Sequence, residues 1–143
     1  MRRALVLAEQ AAEMGEVPVG ALVVRNGEVI AEAGNRRECD RCATAHAELL
    51  AIEQACAAVG SWRLTDCTLY VTLEPCPMCA GTIVNARVGR VVFGCKDARA
   101  GAMGSVLNLP SYPLNHRPKV SMGVCEAECR EVLQRFFRSR RTK

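Results

Sequence analysis

Residues 67 to 86 read CTLYVTLEPCPMCAGTIVNA, and this stretch constrains the fold more tightly than any other. Leu69, Val71 and Leu73 alternate with Tyr70, Thr72 and Glu74, the two-residue period of a strand that ends at Pro75. A helical segment from about Cys76 through GTIVNA follows at once. Strand and helix therefore meet at two cysteines three positions apart, whose sulfurs can face one point. The free N–H groups and the dipole of a helix start favour thiolate there. Such a pair suits a structural metal clip, a redox dithiol or half of a catalytic centre, and the two cysteines alone do not choose among these.

The flanking sequence supplies the rest of an alternating α/β chain. Ala4, Leu5, Leu7, Ala8, Ala11 and Ala12 recur at helical spacing, with Gly15 placed to cap the helix. ALVVR and EVIAEAG flank Asn26-Gly27, a hairpin signal because both turn residues tolerate positive φ. Asn35 to Cys42 reads as loop, and HAELLAIEQACAAV as a helix that Thr44 could cap. RVVFG (90–94) is a further strand, and 98–124, rich in Gly, Pro and Asn, reads as loop and short pieces. A last helix begins near Glu126 and carries Val132, Leu133, Phe136 and Phe137 into a basic end. The expectation is one domain over 1–143, a three-layer α/β/α arrangement around a single sheet. A chain of this length buries about two thirds of its unfolded surface, so a metal is not needed merely to make a core.

The nine cysteines are odd in number and include two Cys-x-x-Cys spacings. The start, MRRALVLAEQAAE, is interrupted by Glu9 and Glu13 and reads as a helix instead of a signal peptide. Apolar runs are only a few residues long, so no membrane span is expected. Together these favour a reducing, cytoplasmic setting and metal ligation over a disulfide framework. The formal charge of +4 is mild, but Arg135, Arg138, Arg140, Arg141 and Lys143 crowd the last nine residues. That tail is either a solvated end or a contact for a polyanion.

Two thiolates do not make a zinc site, which needs three or four protein ligands. His46 or His116 could complete the set, and Cys39-x-x-Cys42 could instead close a four-cysteine cage with Cys76 and Cys79. Glu48, two residues beyond His46, favours the first arrangement. His-Ala-Glu at one helix start and Pro-Cys-x-x-Cys at the next offer three ligands, one open position and an adjacent carboxylate. A metal so held lowers the pKa of water toward about 7, and a carboxylate that does not ligate can carry protons. Cys56, Cys67, Cys95, Cys125 and Cys129 read as small buried hydrophobes, Met78 as core packing, and Glu74 as a scaffold residue at the strand end.

TAHAEL (44–49), EPCPMCAG (74–81), EVPVGA (16–21), VVFGCKDARAGAMGS (91–105) and FFRSRR (136–141) together resemble the bacterial tRNA-specific adenosine deaminases, within the cytidine deaminase-like superfamily. H-x-E followed by P-C-x-x-C is the signature of those zinc enzymes. The resemblance spans nearly the whole chain and implies a mixed five-stranded sheet with helices on both faces. It implies one zinc ion per subunit on His46, Cys76 and Cys79, with Glu48 as the catalytic proton shuttle. The implied reaction is hydrolytic deamination of adenosine to inosine at wobble position 34 of tRNA anticodons. Asn35 would contact the base or its ribose, and the surroundings of Val17, Ala47 and Asp97 would form the base- and backbone-recognition loops. Arg138, Arg140 and Arg141 would reach the anticodon stem-loop, His116 would lie near the RNA without binding zinc, and the protein would be a homodimer. ECDRCA, before His46, departs from the family pattern, as does Cys95 where alanine is common. Two other readings share parts of this site: a deaminase of free bases or nucleosides such as cytidine or guanine, and a non-catalytic zinc-stabilised RNA-binding module.

Overall fold

Asn26 and Gly27 take φ of 51° and 76°, closing a two-residue hairpin between β1 (Gly20–Arg25) and β2 (Glu28–Gly34). The computed structural model describes residues 1–141 and arranges five strands in the order β2-β1-β3-β4-β5. β1 is antiparallel to both β2 and β3 (Cys67–Leu73). β3, β4 (Arg90–Cys95) and β5 (Lys119–Met122) run parallel. β3 and β4 are joined by α3 (Pro77–Asn85), the crossover that parallel neighbours require.

Period-two alternation decides the layers. Ala21, Val23, Leu69, Val71, Val91 and Phe93 point to one face and share a core with α3 and α2 (Ala47–Val59). Leu22 points to the other face, against Ala4 and Leu7 of α1 (Arg2–Glu13). α4 (Glu126–Arg141) lies beside α1 on that face, so the expected three layers are present. Two strand glycines let helices approach. A Cβ on Gly20 would lie 2.0 Å from the Ala4 carbonyl oxygen, and one on Gly94 would lie 2.3 Å from the Cys129 sulfur.

Gly15 ends α1 as expected, and several other details differ from the sequence reading. α1 ends at Met14, with Gly15 just beyond at φ 82°. The N–H groups of Gly15 and Glu16 return to the Ala12 and Ala11 carbonyls, the paired bonds of a Schellman ending. Thr44 does not cap α2, because the Arg36 N–H bonds the Ala45 carbonyl at 3.0 Å and folds the preceding loop back on itself. His46, in extended conformation, is the N-cap residue, and the Thr44 hydroxyl instead meets the Cys42 sulfur at 3.2 Å. Residues 98–124 contain β5 and a short 3-10 helix (Leu109–Ser111), both too brief to carry a hydrophobic period. Cys67, Cys95 and Cys129 are buried, whereas Cys56 and Cys125 are only half-buried. Lys143, counted with the basic tail, lies outside the described residues.

Candidate active site

The topology gathers the chemistry at one edge of the sheet. Because β1 runs against β3, the start of β1 and the end of β2 lie beside the C-terminal end of β3; Gly20 pairs with Gly34, and its N–H meets the Thr72 hydroxyl at 3.2 Å. The first turns of α2 and α3, and the loop leaving β4, converge on the same edge. Carboxyl ends of parallel strands are where open α/β sheets hold ligands.

At that edge His46 Nδ1 is 3.7 Å from Cys76 Sγ and 3.6 Å from Cys79 Sγ. The three ligand atoms all fall within 4.8 Å of one another, and no other group of three potential ligands occurs among the described residues. Cys39, Cys42 and His116 are outside it, so the four-cysteine cage does not form. A tetrahedral zinc at about 2.3 Å from sulfur and about 2.0 Å from nitrogen would separate those donors by about 3.5 Å. The observed spacings fit, and a two-thiolate, one-imidazole set suits zinc. The Cys79 thiol and then His46 stabilise the Cys76 thiolate, pulling its pKa down to about 4, while the same contact pushes Cys79 up. Cys76 also raises the pKa of His46.

Glu48, in the first turn of α2, is 5% exposed beside these donors. Burial pushes its carboxyl up to about 7, against the lowering effects of its own N–H and of His46. A carboxyl near neutrality can both accept and return a proton. The cavity in front measures about 230 Å³ and is lined by Val17, Asn35, Ala47, Glu48 and Asp97 among others. Pockets for drug-sized ligands measure about 300–1,000 Å³, so this smaller space is of a size to hold a single base. The structure thus brings together His46, Cys76, Cys79, Glu48, Asn35, Ala47 and Asp97 from distant parts of the chain.

Two further features of the pocket are the hydrogen bonds of Glu74 and the presence of Arg37. Glu74 is buried; its Oε2 accepts the N–H groups of Met103 at 2.9 Å and Ser105 at 3.1 Å, and its Oε1 accepts the Asp97 N–H and the Ser105 hydroxyl. This is the scaffold role expected for Glu74, and it holds the loop that brings Asp97 to the pocket. Arg37 lines the pocket mouth without being anticipated; one more arginine in a polar loop carries no distinguishing signal.

The profile of the MafB19-like deaminases matches residues 1–141. The chain is 51% identical over 144 residues to the tRNA-specific adenosine deaminase of Bacillus subtilis (strain 168), spanning 100% of this chain and 89% of that protein. It is 46% identical over 142 residues to the tRNA-specific adenosine deaminase of Agrobacterium fabrum, spanning 99% and 93%. This chain belongs to the tRNA-specific adenosine deaminase family. A solved structure from studies of A-to-I editing by tRNA:A34 deaminases at the wobble position of transfer RNA superposes with a TM-score of 0.91. It is 46% identical, over 93% of this chain and 97% of that one.

In this deaminase the basic helix is fastened down as well as charged. Arg140 donates to the Gly15 carbonyl at 2.7 Å and lies 4.8 Å over the Phe136 ring, and Arg135 pairs with Glu9. Arg138 and Arg141 are exposed, and their side chains have no ion pair or hydrogen bond among the described residues. His116 donates its ring N–H to the Val88 carbonyl at 2.6 Å, at the end of β4 opposite the pocket. No described helix is long and apolar enough to cross a membrane.

Proposed function

We propose that this protein converts adenosine to inosine at position 34 of tRNA anticodons, as a single zinc-dependent deaminase domain that works as a homodimer in the cytoplasm. The observation that carries the reading is the convergence of His46, Cys76 and Cys79 beside a walled-in Glu48 that has no ligand role. His46, Cys76 and Cys79 would hold one zinc ion, which when bound supplies a Lewis acid that makes water a nucleophile near neutral pH. Glu48 takes a proton from the attacking water and delivers it to N1 as the water oxygen bonds to C6. It then passes the second water proton to the exocyclic amine, the C6–N bond breaks, ammonia leaves and inosine remains.

Asn35, Ala47 and Asp97 surround the base in the cavity, and Arg138 and Arg141 offer exposed charge to the phosphates of the anticodon stem-loop. The wobble base is unpaired, so drawing it into the cavity avoids most of the unpairing cost. All nine cysteines are free, in keeping with a reducing compartment.

The test is to incubate the protein with a tRNA bearing A34, digest the RNA and score inosine by mass, with free adenosine, cytidine and guanine assayed in parallel. Inosine at position 34 is expected, lost in Glu48→Ala while zinc content stays at one per chain. Turnover of free nucleosides or bases without tRNA turnover would favour the free-substrate reading. Activity in Glu48→Ala would sink the mechanism.

A further inference from the structure

Glu16 has no part in the reaction above, yet it is 0% exposed and fully engaged. Its main-chain N–H closes α1 onto Ala11, and its side chain reaches the loop after β2. Oε1 accepts the Glu38 N–H at 3.0 Å, and Oε2 accepts the Cys39 N–H at 2.6 Å. One residue on, the Val17 carbonyl accepts the Asn35 amide at 3.2 Å, and Asn35 Oδ1 accepts the Arg37 N–H at 3.3 Å. Glu16 and Val17 therefore hold both ends of residues 35–39, with Asn35 bracing the segment from within. Val17, Asn35 and Arg37 all line the cavity, and Arg37 is its only lining arginine or lysine among the described residues.

A buried carboxylate is costly unless donors satisfy it. Here the satisfying donors are two N–H groups of a loop whose side chains are otherwise exposed. An apolar residue could fill the same space, so the charged group brings geometry that filling would not. Arg37, held by this loop, has no side-chain hydrogen bond or ion pair among the described residues.

We propose that Glu16 is a positioning residue for the deaminase: by clamping the N–H groups of Glu38 and Cys39 it sets residues 35–39 over the pocket, and so places Asn35 and Arg37 against the RNA substrate. The assignment rests on the deaminase reading above and adds to it the determinant of substrate placement.

Glu16→Gln keeps the volume and one acceptor but turns an amide NH2 toward an N–H donor. Loss of one charge-assisted bond corresponds to about a tenfold to hundredfold effect. We expect kcat/KM on an A34 anticodon stem-loop to fall by that factor, mostly through KM, with zinc content unchanged. Amide hydrogen exchange at Glu38 and Cys39 should accelerate by at least about tenfold, with α2 and β3 unaffected. Glu16→Asp, which keeps the charge but shortens the reach by one methylene, should move KM the same way if Glu16→Gln does not fold. Leu64→Ala, which opens a cavity in the core at the end of β3 and β4 opposite the pocket and away from α4, should lower thermal stability without changing KM or exchange at 38–39. A wild-type KM in the folded Glu16 variants, unchanged exchange at 38–39, or an equal KM rise in Leu64→Ala would overturn the proposal. No inosine from the wild-type protein would instead overturn the deaminase reading, and this proposal with it.

Discussion

Glu74→Gln is the substitution whose cost can be worked most directly from the structure. The wild-type carboxylate accepts four hydrogen bonds, two on each oxygen, from Asp97, Met103 and Ser105. A glutamine whose oxygen keeps the Met103 and Ser105 N–H pair turns its NH2 toward the Ser105 hydroxyl, which can rotate to accept, and toward the Asp97 N–H, which cannot, so one charge-assisted bond is lost outright. The loss is about 1.5–3 kcal/mol. Little relaxation is available, because a Cβ on Gly101 would lie 2.4 Å from Oε2 and the backbone is already close on that side. Against a typical domain stability of about 5–15 kcal/mol the effect is large. Urea unfolding of both proteins at matched zinc, with equal m-values, reads it as a shift in midpoint. Exchange should accelerate at the amides of Asp97, Met103 and Ser105 before the sheet is affected. A loss below about 1 kcal/mol, the value of an ordinary net hydrogen bond, would refute the claim that Glu74 organises this loop.

Gly20→Ala should destabilise by about 1–3 kcal/mol or more, measured by thermal unfolding, since its Cβ meets α1 backbone and not a movable side chain. Chelation of zinc should lower the unfolding midpoint and re-addition restore it, by about 2.7 kcal/mol when free zinc is about a hundred times its Kd; Cys76→Ser should lose that response. Arg138→Ala and Arg141→Ala should each weaken RNA binding across sequences and reduce the salt slope by about one. Arg140→Ala should also cost folding stability, read by thermal melting, because Arg140 holds Gly15 and covers Phe136. Burial alone would raise the Glu16 carboxyl pKa, but the Cys39 and Glu38 N–H groups, with Arg36 nearby, hold it below the usual range. Its contribution is then complete above about pH 4.3 and is lost as pH falls through the folded value. The stability gap between wild type and Glu16→Gln should therefore narrow in acid, as followed by urea midpoints at stepped pH.

Much of the architecture is local information. The alternation at 69–74, the Asn26-Gly27 turn and the helical period of 47–59 each express a backbone preference within a few residues, so they are legible without the fold. His-x-Glu and Pro-Cys-x-x-Cys are legible for the same reason, as the candidate ligands and carboxylate sit within one helical turn of each other in two short segments. β5 was not: four residues, two of them exposed, become a strand only because β4 offers an unpaired edge. The cap of α2 also moved from Thr44 to His46 once the loop closed through Arg36 and Ala45.

The sequence by itself determined the candidate motifs, His-x-Glu and Pro-Cys-x-x-Cys, and the strand-to-helix step that presents the cysteines, because each depends on chemistry and spacing within one segment. Tertiary structure decided which histidine joins the cysteines, leaving Cys39, Cys42 and His116 aside, because ligand distance is set by antiparallel β1 and the crossover through α3. It also decided that Glu16 and Glu74 clamp the two loops beside the pocket. A buried carboxylate is recognised by the N–H groups it meets, and those lie more than 20 residues away in the chain.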